Sequence, residues 1–305
     1  MSANYSKIKV FIALALGLTS FGFAPILVRL ATEYSAVQIS TIRTVLGALI
    51  LIPIYLSRNK EIDSATPILK KEHKWMALAG IMLGLHFMSW TGSLYFTSVA
   101  SASVLVTIHP IILILAERTL YRINFAVTVW IGVGIAFMGS MLLGYADYNA
   151  ESTFINPALG NALAFIAAVI FAIYFLIGRR VRQNHSLIEY LFPVYTWAAI
   201  TSVVILIIVE GFTFPLDQKI LLIGLGLAAG PQIIGHGALN YAIKYVSPTL
   251  LSTLILAEPL LASLLALFLF EELPSVISIS AMCIILLGVS LTWRKTTKTP
   301  NNVSI

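Results

Sequence analysis

The chain has one cysteine, Cys283, so neither a disulfide framework nor a thiolate metal cluster can form within it. Charge is scarce too: 10% of residues are charged, against about 25% in a soluble domain. No HExxH, GxSxG or phosphate-binding loop occurs, and the five histidines are scattered along the sequence. These absences argue against zinc hydrolysis, serine hydrolysis and nucleotide-driven work. No lysine lies deep in an apolar stretch, which argues against a retinal Schiff base. The reading is of a protein that is not an enzyme and carries no cofactor or metal.

What fills the chain instead is apolar: 59% of residues are hydrophobic, in long runs. A bilayer core asks for about 20 residues of helix. Ten such runs are legible, at 8–30, 36–57, 75–96, 98–119, 123–145, 157–178, 186–209, 220–243, 248–270 and 275–293. The fold class is therefore all-α integral membrane, with ten transmembrane helices. The first run follows Lys7 and Lys9 and ends at Arg29 without a small-residue cleavage site, so it reads as a span and not as a leader. With the N-terminus placed in the cytoplasm, 16 of the 19 lysines and arginines fall on the cytoplasmic side. Only Arg29 and Lys219 then lie outside, with Arg43 inside a span. That asymmetry predicts a multi-pass cell (inner) membrane protein with both termini cytoplasmic. The net charge of +6 is then a topology signal spread over every cytoplasmic turn, and nucleic acid is not a partner.

The sequence also reads twice. At an offset of 149, Ser103 falls on Ser252, Pro110 on Pro259 and Gly139 on Gly288. At an offset of 150, Phe21–Ala36 falls on Phe171–Ser186 and Arg29 on Arg179. The expected units are residues 1–150 (spans one to five) and 151–305 (spans six to ten, with a short cytoplasmic tail). Five is odd, so the second unit must cross in the opposite sense, as an inverted repeat. Such pairs build carriers that work by alternating access.

Charges deep in a span are expensive, about 2.5–3.5 kcal/mol on insertion scales. Glu258 stands about ten residues into span nine and His109 about twelve into span four, roughly 15–18 Å deep at 1.5 Å per residue. They are repeat mates, His109-Pro110 over Glu258-Pro259, and each proline is expected to bend its helix. Two readings stand: a central site that binds substrate or carries a proton, or a glutamate and a histidine bracing their helices. Arg43 could attract a substrate carboxylate or lock one conformation; it could equally reach the outer headgroups. Glu117, Arg118 and Glu189 are expected as interfacial ion pairs or snorkelling groups near span ends.

Polar side chains mark the expected pathway. Gln232, His236 and Asn240 recur every four residues and predict one continuous face on span eight. Span three offers His86 and Trp90 with Ser89, Ser93 and Thr97, and span four adds Ser103 and Thr107. Spans three, four, eight and nine should line the path, against the alternative of ordinary helix–helix hydrogen bonding. The expected substrate-binding set is thus Glu258, His109, Arg43, His86, Trp90, Ser103, Thr107, Gln232, His236 and Asn240. Gly80-Gly84 and Gly226-Gly230 are GxxxG pairs that favour close helix approach, and Pro231 should bend span eight.

The runs ILAEPLLASLLALFLFEELPS at 255–275, HPIIL at 109–113 and ISTIRTVLGALIL around Arg43 resemble the EamA-type family of drug/metabolite transporters. The resemblance covers nearly the whole chain as two five-helix units. Its most specific element is the glutamate-proline of span nine with an acidic residue twelve positions on, here Glu271. The first half has Arg122 at the matching position, a departure from the commoner acid. The resemblance implies an inner-membrane exporter of amino acids and related metabolites, with a central cavity. Combined with the residues, it gives a secondary transporter of small amphipathic solutes, driven by a gradient, with protons as the candidate coupling ion. Its partners are then a small-molecule substrate and the lipid bilayer, and a monomer suffices. The alternatives are a membrane scaffold, which leaves Glu258 and His109 without a role, and a facilitative channel without gradient coupling.

Overall fold

The structure, a computed structural model, describes residues 7–59, 70–97, 102, 105–148, 156–211, 214–258, 260–261, 265, 268 and 275–293. Among them every regular element is helical. In chain order these are α1 (Lys7–Arg29), α2 (Ala36–Asn59), α3 (Lys70–Phe96), α4 (His109–Leu120) and α5 (Val127–Tyr148). After them come α6 (Pro157–Val181), α7 (Leu187–Glu210), α8 (Gln218–Ala242), α9 (Pro248–Ile255) and α10 (Val276–Trp293). Seven of these, α1, α2, α3, α6, α7, α8 and α10, are long and apolar enough to cross a membrane. Their outward faces carry large apolar side chains such as Phe11, Ile208 and Leu222, which suit lipid and not water.

The helices of the two halves interlace. α1 packs on α8, α3 packs on α6 and α7, α2 packs on α7 and α8, and α5 packs on α10. Glycine permits the tightest of these crossings. A Cβ at Gly288 would stand 2.3 Å from the Ala136 backbone nitrogen, and one at Gly139 would stand 2.9 Å from Ile285. Of the two GxxxG pairs, Gly80-Gly84 does lie against the α7 backbone at Val194 and Ala198. Gly226 meets only Leu27, and Gly230 has open space beside it.

Three elements depart from regular helix. Two are repeat mates: the chain turns at Thr107–Ile108 just before α4, and at Leu256–Ala257 just after α9. Pro110 therefore does not bend a continuous helix. It sits in the first turn of α4, where its missing N–H leaves no helical bond unmade. Pro259, Ser103 and Glu271 lie outside the described residues. The third is a π-helical stretch, Ala228–His236, inside α8 and around Pro231. Its i→i+5 bonding widens the turn.

Two expectations for the span ends are corrected. Glu117 neither snorkels nor forms an interfacial ion pair: it is 1% exposed, and its Oε2 accepts the Thr249 N–H at 2.9 Å and the Thr249 hydroxyl at 2.5 Å. A carboxylate is favoured there because the first turn of α9 presents unpaired N–H groups. Glu189 closes a capping box with Ser186 at the start of α7. Arg118 stands 5.9 Å over the Trp130 ring.

Candidate functional site

One buried cavity gathers most of the polar residues singled out above. Arg43, His86, Trp90, Thr107, His109, His236 and Glu258 all line it, with Phe21, Phe87 and Phe171 among the apolar walls. Its unfilled space, with the open solvent at its mouth included, is about 530 Å³. Each helix break delivers one residue: His109 follows the turn at Thr107–Ile108, and Glu258 follows the turn at Leu256–Ala257. A break in the helix at these points lets the polar residue stand at the cavity wall beside backbone that is no longer fully paired within the helix.

Arg43 reaches inward from α2 and is 3% exposed. Its guanidinium lies 3.7 Å above the centre of the Phe87 ring, a cation–π geometry. Its Nε is buried without a hydrogen-bond partner. The headgroup alternative for Arg43 does not describe this placement.

Three histidines distant in sequence meet here. His86 Nδ1 lies 2.9 Å from the Ala167 carbonyl oxygen. The Nδ1 atoms of His109 and His236 are buried without partners. Phe171 touches all three rings, at centroid distances of 5.2 Å (His86), 4.7 Å (His109) and 6.1 Å (His236). His86 and His236 lie 6.2 Å apart, ring centre to ring centre. Among the described residues no group of three or more His, Cys, Asp or Glu could hold a metal ion.

Gln232 and Asn240 do not join the cavity wall. For Gln232 the π-helical widening of Ala228–His236 breaks the four-residue periodicity that would have kept it on the face of His236. Gln232 is fully buried against α2, where its amide fills the space beside Gly47, and its backbone carbonyl accepts the Tyr195 hydroxyl at 2.6 Å. Asn240 Nδ2 donates to the Tyr174 hydroxyl at 2.5 Å and to the His236 carbonyl at 2.7 Å. The residues that the sequence reading missed are aromatic, Phe21 and Phe171 above all. The signal for them was available, because they are mates at an offset of 150, as are His86 and His236. The mates also cross over: Phe21 packs edge-on against His236 at 5.1 Å, and Phe171 packs against His86 at 5.2 Å.

A polar latch stands at each end of the helices. At the α1–α2 end, Glu210 accepts the Ser35 hydroxyl at 2.5 Å and the Gln38 amide at 2.8 Å. Beside it the Tyr34 hydroxyl donates to Asp217 at 2.7 Å, and Lys219 pairs with Glu33. The N–H of Ile220 and the Tyr34 hydroxyl hold the Asp217 carboxyl below its ordinary range. The Lys219 bond does the same for Glu33. At the opposite end, His185 Nε2 lies 2.6 Å from Glu72 Oε2, and Asn184 Nδ2 reaches Glu72 Oε1 at 3.5 Å. Arg182 bonds the His185 carbonyl and, at 2.8 Å, the Asn240 carbonyl. Ser35 and His185 are mates at an offset of 150, so the two latches correspond across the repeat.

The EamA-like transporter family model matches residues 8–145 and again residues 158–294. The chain belongs to the EamA-like transporter family. Its two matched segments establish the EamA two-repeat architecture, and with the long apolar helices they make this a multi-pass membrane protein. Among curated proteins it is similar to Uncharacterized transporter YdfC of Bacillus subtilis, at 25% identity over 203 residues, covering 66% of this chain and 64% of YdfC. It is also similar to Uncharacterized transporter sll1319 of Synechocystis sp., at 22% identity over 248 residues, covering 81% and 74%. The match therefore spans a little under two thirds of YdfC's length. A solved crystal structure of another protein shares the EamA fold seen here, with a TM-score of 0.75 at 18% identity, covering 94% of this chain and 97% of that one.

Proposed function

We propose that this EamA-like protein is a secondary transporter that moves a small amphipathic metabolite, such as an amino acid, out of the cell by alternating access. In this reading it is a monomer with ten spans. Residues 1–150 and 151–305 are inverted five-helix repeats, and both termini lie in the cytoplasm beneath the cell membrane. Glu258 and His109 are its central polar pair, with protons as the coupling ion. Arg43, His86, Trp90, Thr107 and His236 complete the substrate contacts. Gln232 and Asn240 act from behind, by fixing the α8 segment that carries His236.

The observation that supports this reading is the convergence of buried polar residues from both matched segments on one cavity at the repeat seam. A carboxylate and an arginine inside a membrane protein need a reason beyond packing. The test is counterflow in proteoliposomes, using a panel of amino acids and related solutes, with and without a pH gradient, beside Glu258→Gln. Saturable exchange that falls at least tenfold in a folded Glu258→Gln protein is the expected result. Exchange that is unchanged in Glu258→Gln would remove that residue from the transport cycle.

A further inference from the structure

We propose that the cavity takes a small organic monoanion with a flat aromatic body, and that Arg43 is its charge anchor. This rests on the transport reading above and narrows it to a substrate class.

Arg43 carries the argument. Its guanidinium is buried, one face is covered by the Phe87 ring, and Nε points to no acceptor. A ring face satisfies the charge but offers nothing to in-plane N–H donors, which remain costly when desolvated. Arg43 takes part in neither the His185–Glu72 nor the Lys219–Glu33 ion pair, and the carboxylate whose charge acts on it is Glu258 of the same cavity, short of ion-pair contact. A carboxylate is the group that fits, because its two oxygens match the planar fork of the guanidinium. The unpartnered Nδ1 atoms of His109 and His236 supply two further positions on the same cavity. In either tautomer an imidazole can donate to or accept from a polar substituent.

The body of the ligand is set by the walls. Phe21, Phe87 and Phe171 bound the space together with Trp90. These rings already pack on the histidines edge-on or tilted, which is the geometry that a flat aromatic guest can extend. Glu258 lines the same cavity, so a second negative charge on the ligand would meet a carboxylate. That favours a monoanion over a dianion.

The experiment measures binding and exchange separately on the full-length protein. Ligand-dependent thermal stabilisation in detergent, and counterflow in proteoliposomes, are recorded for benzoate, benzamide, hexanoate and phthalate. Benzoate should stabilise and exchange, with at least tenfold weaker action by each of the other three. Arg43→Gln should lower benzoate affinity at least tenfold and benzamide affinity far less. Arg43→Lys, which keeps charge but loses the fork, should fall between. Phe171→Ala should narrow the benzoate–hexanoate gap, and it keeps the idea testable should Arg43→Gln not fold. Equal action of benzoate and benzamide overturns the proposal. Indifference of benzoate to Arg43→Gln, or no response to benzoate at all, also overturns it. Exchange of a neutral or cationic solute that still depends on Glu258 would sink the anion assignment and leave transport standing.

Discussion

His86 and His236 stand 150 positions apart in the sequence and 6.2 Å apart ring to ring, facing each other across the cavity's aromatic floor. Their mates in the packing, Phe171 and Phe21, come from the opposite repeat in each case. The seam is therefore built from exchanged contacts, and the latches at its two ends follow the same rule. Three predictions concern parts of this arrangement other than the ligand.

Removing one latch should free one end only. A hydrogen bond to a charged group contributes about 1.5–3 kcal/mol, enough to shift a balanced two-state population roughly tenfold or more. Thr107→Cys, made in a Cys283→Ser background, reports access to the cavity through an impermeant maleimide applied from either face. Glu210→Gln should raise labelling from the face that carries Glu210. Glu72→Gln should raise labelling from the other. Equal change on both faces would mean that the latches are only surface bonds.

The α5–α10 crossing should tolerate no added methyl group. Gly288→Ala places a Cβ against one turn of the α5 backbone, with Ala136 N at 2.3 Å and Gly132 O at 2.6 Å. Neither atom can turn away as a side chain would, so the helices must separate, at a cost of about 1–3 kcal/mol or more. Gly134→Ala, with nothing within 4 Å, is the matched control. Thermal unfolding in detergent should show a lower Tm for the first and no loss for the second.

Acid should loosen the α1–α2 end through Asp217. Its carboxyl titrates below the ordinary aspartate range because the Ile220 N–H and the Tyr34 hydroxyl bond the ionised form. The sign follows from a depressed native value: the stabilisation is complete above the unfolded pKa and is lost as pH falls through the lower folded one. Hydrogen exchange of the first turn of α8 should therefore accelerate below about pH 4 in the native protein. In Asp217→Asn it should be fast already at neutral pH and change less on acidification.

Much of this was legible without coordinates. The repeat offset, Glu258 and His109 deep in their spans, and His86 and Trp90 of span three all led to one place. Their signal was strong because polarity inside a membrane needs a partner. Ser93 and Thr97 of span three instead make ordinary helix hydrogen bonds, to the Trp90 carbonyl and to Asn161. Gln232 misled for a local reason: a four-residue spacing keeps a face only while the helix stays α, and Pro231 sits in a π-helical stretch. Asn240 misled because its partner, the Tyr174 hydroxyl, comes from 66 residues away. Phe21 and Phe171 carried no polarity to mark them, since a phenylalanine in an apolar span reads the same toward lipid or toward a cavity. Glu117 was misplaced because its acceptor role depends on Thr249, 132 residues away, which sequence distance conceals. Proline in His109-Pro110 marked a true interruption, one residue pair downstream of where the helix breaks.

The interlaced packing has a consequence for biogenesis. α1, α3 and α5 find their main partners in the second matched segment, on α8, on α6 and α7, and on α10. At about 5–20 residues per second, the ribosome needs roughly 8–30 s to supply those partners after the first segment is made. For that interval the Phe21 and His86 surfaces and the Gly132–Gly139 groove wait in the bilayer without their own mates. The newborn first half is thus the most vulnerable species in the life of this protein, and insertase or chaperone contact with it belongs to that window.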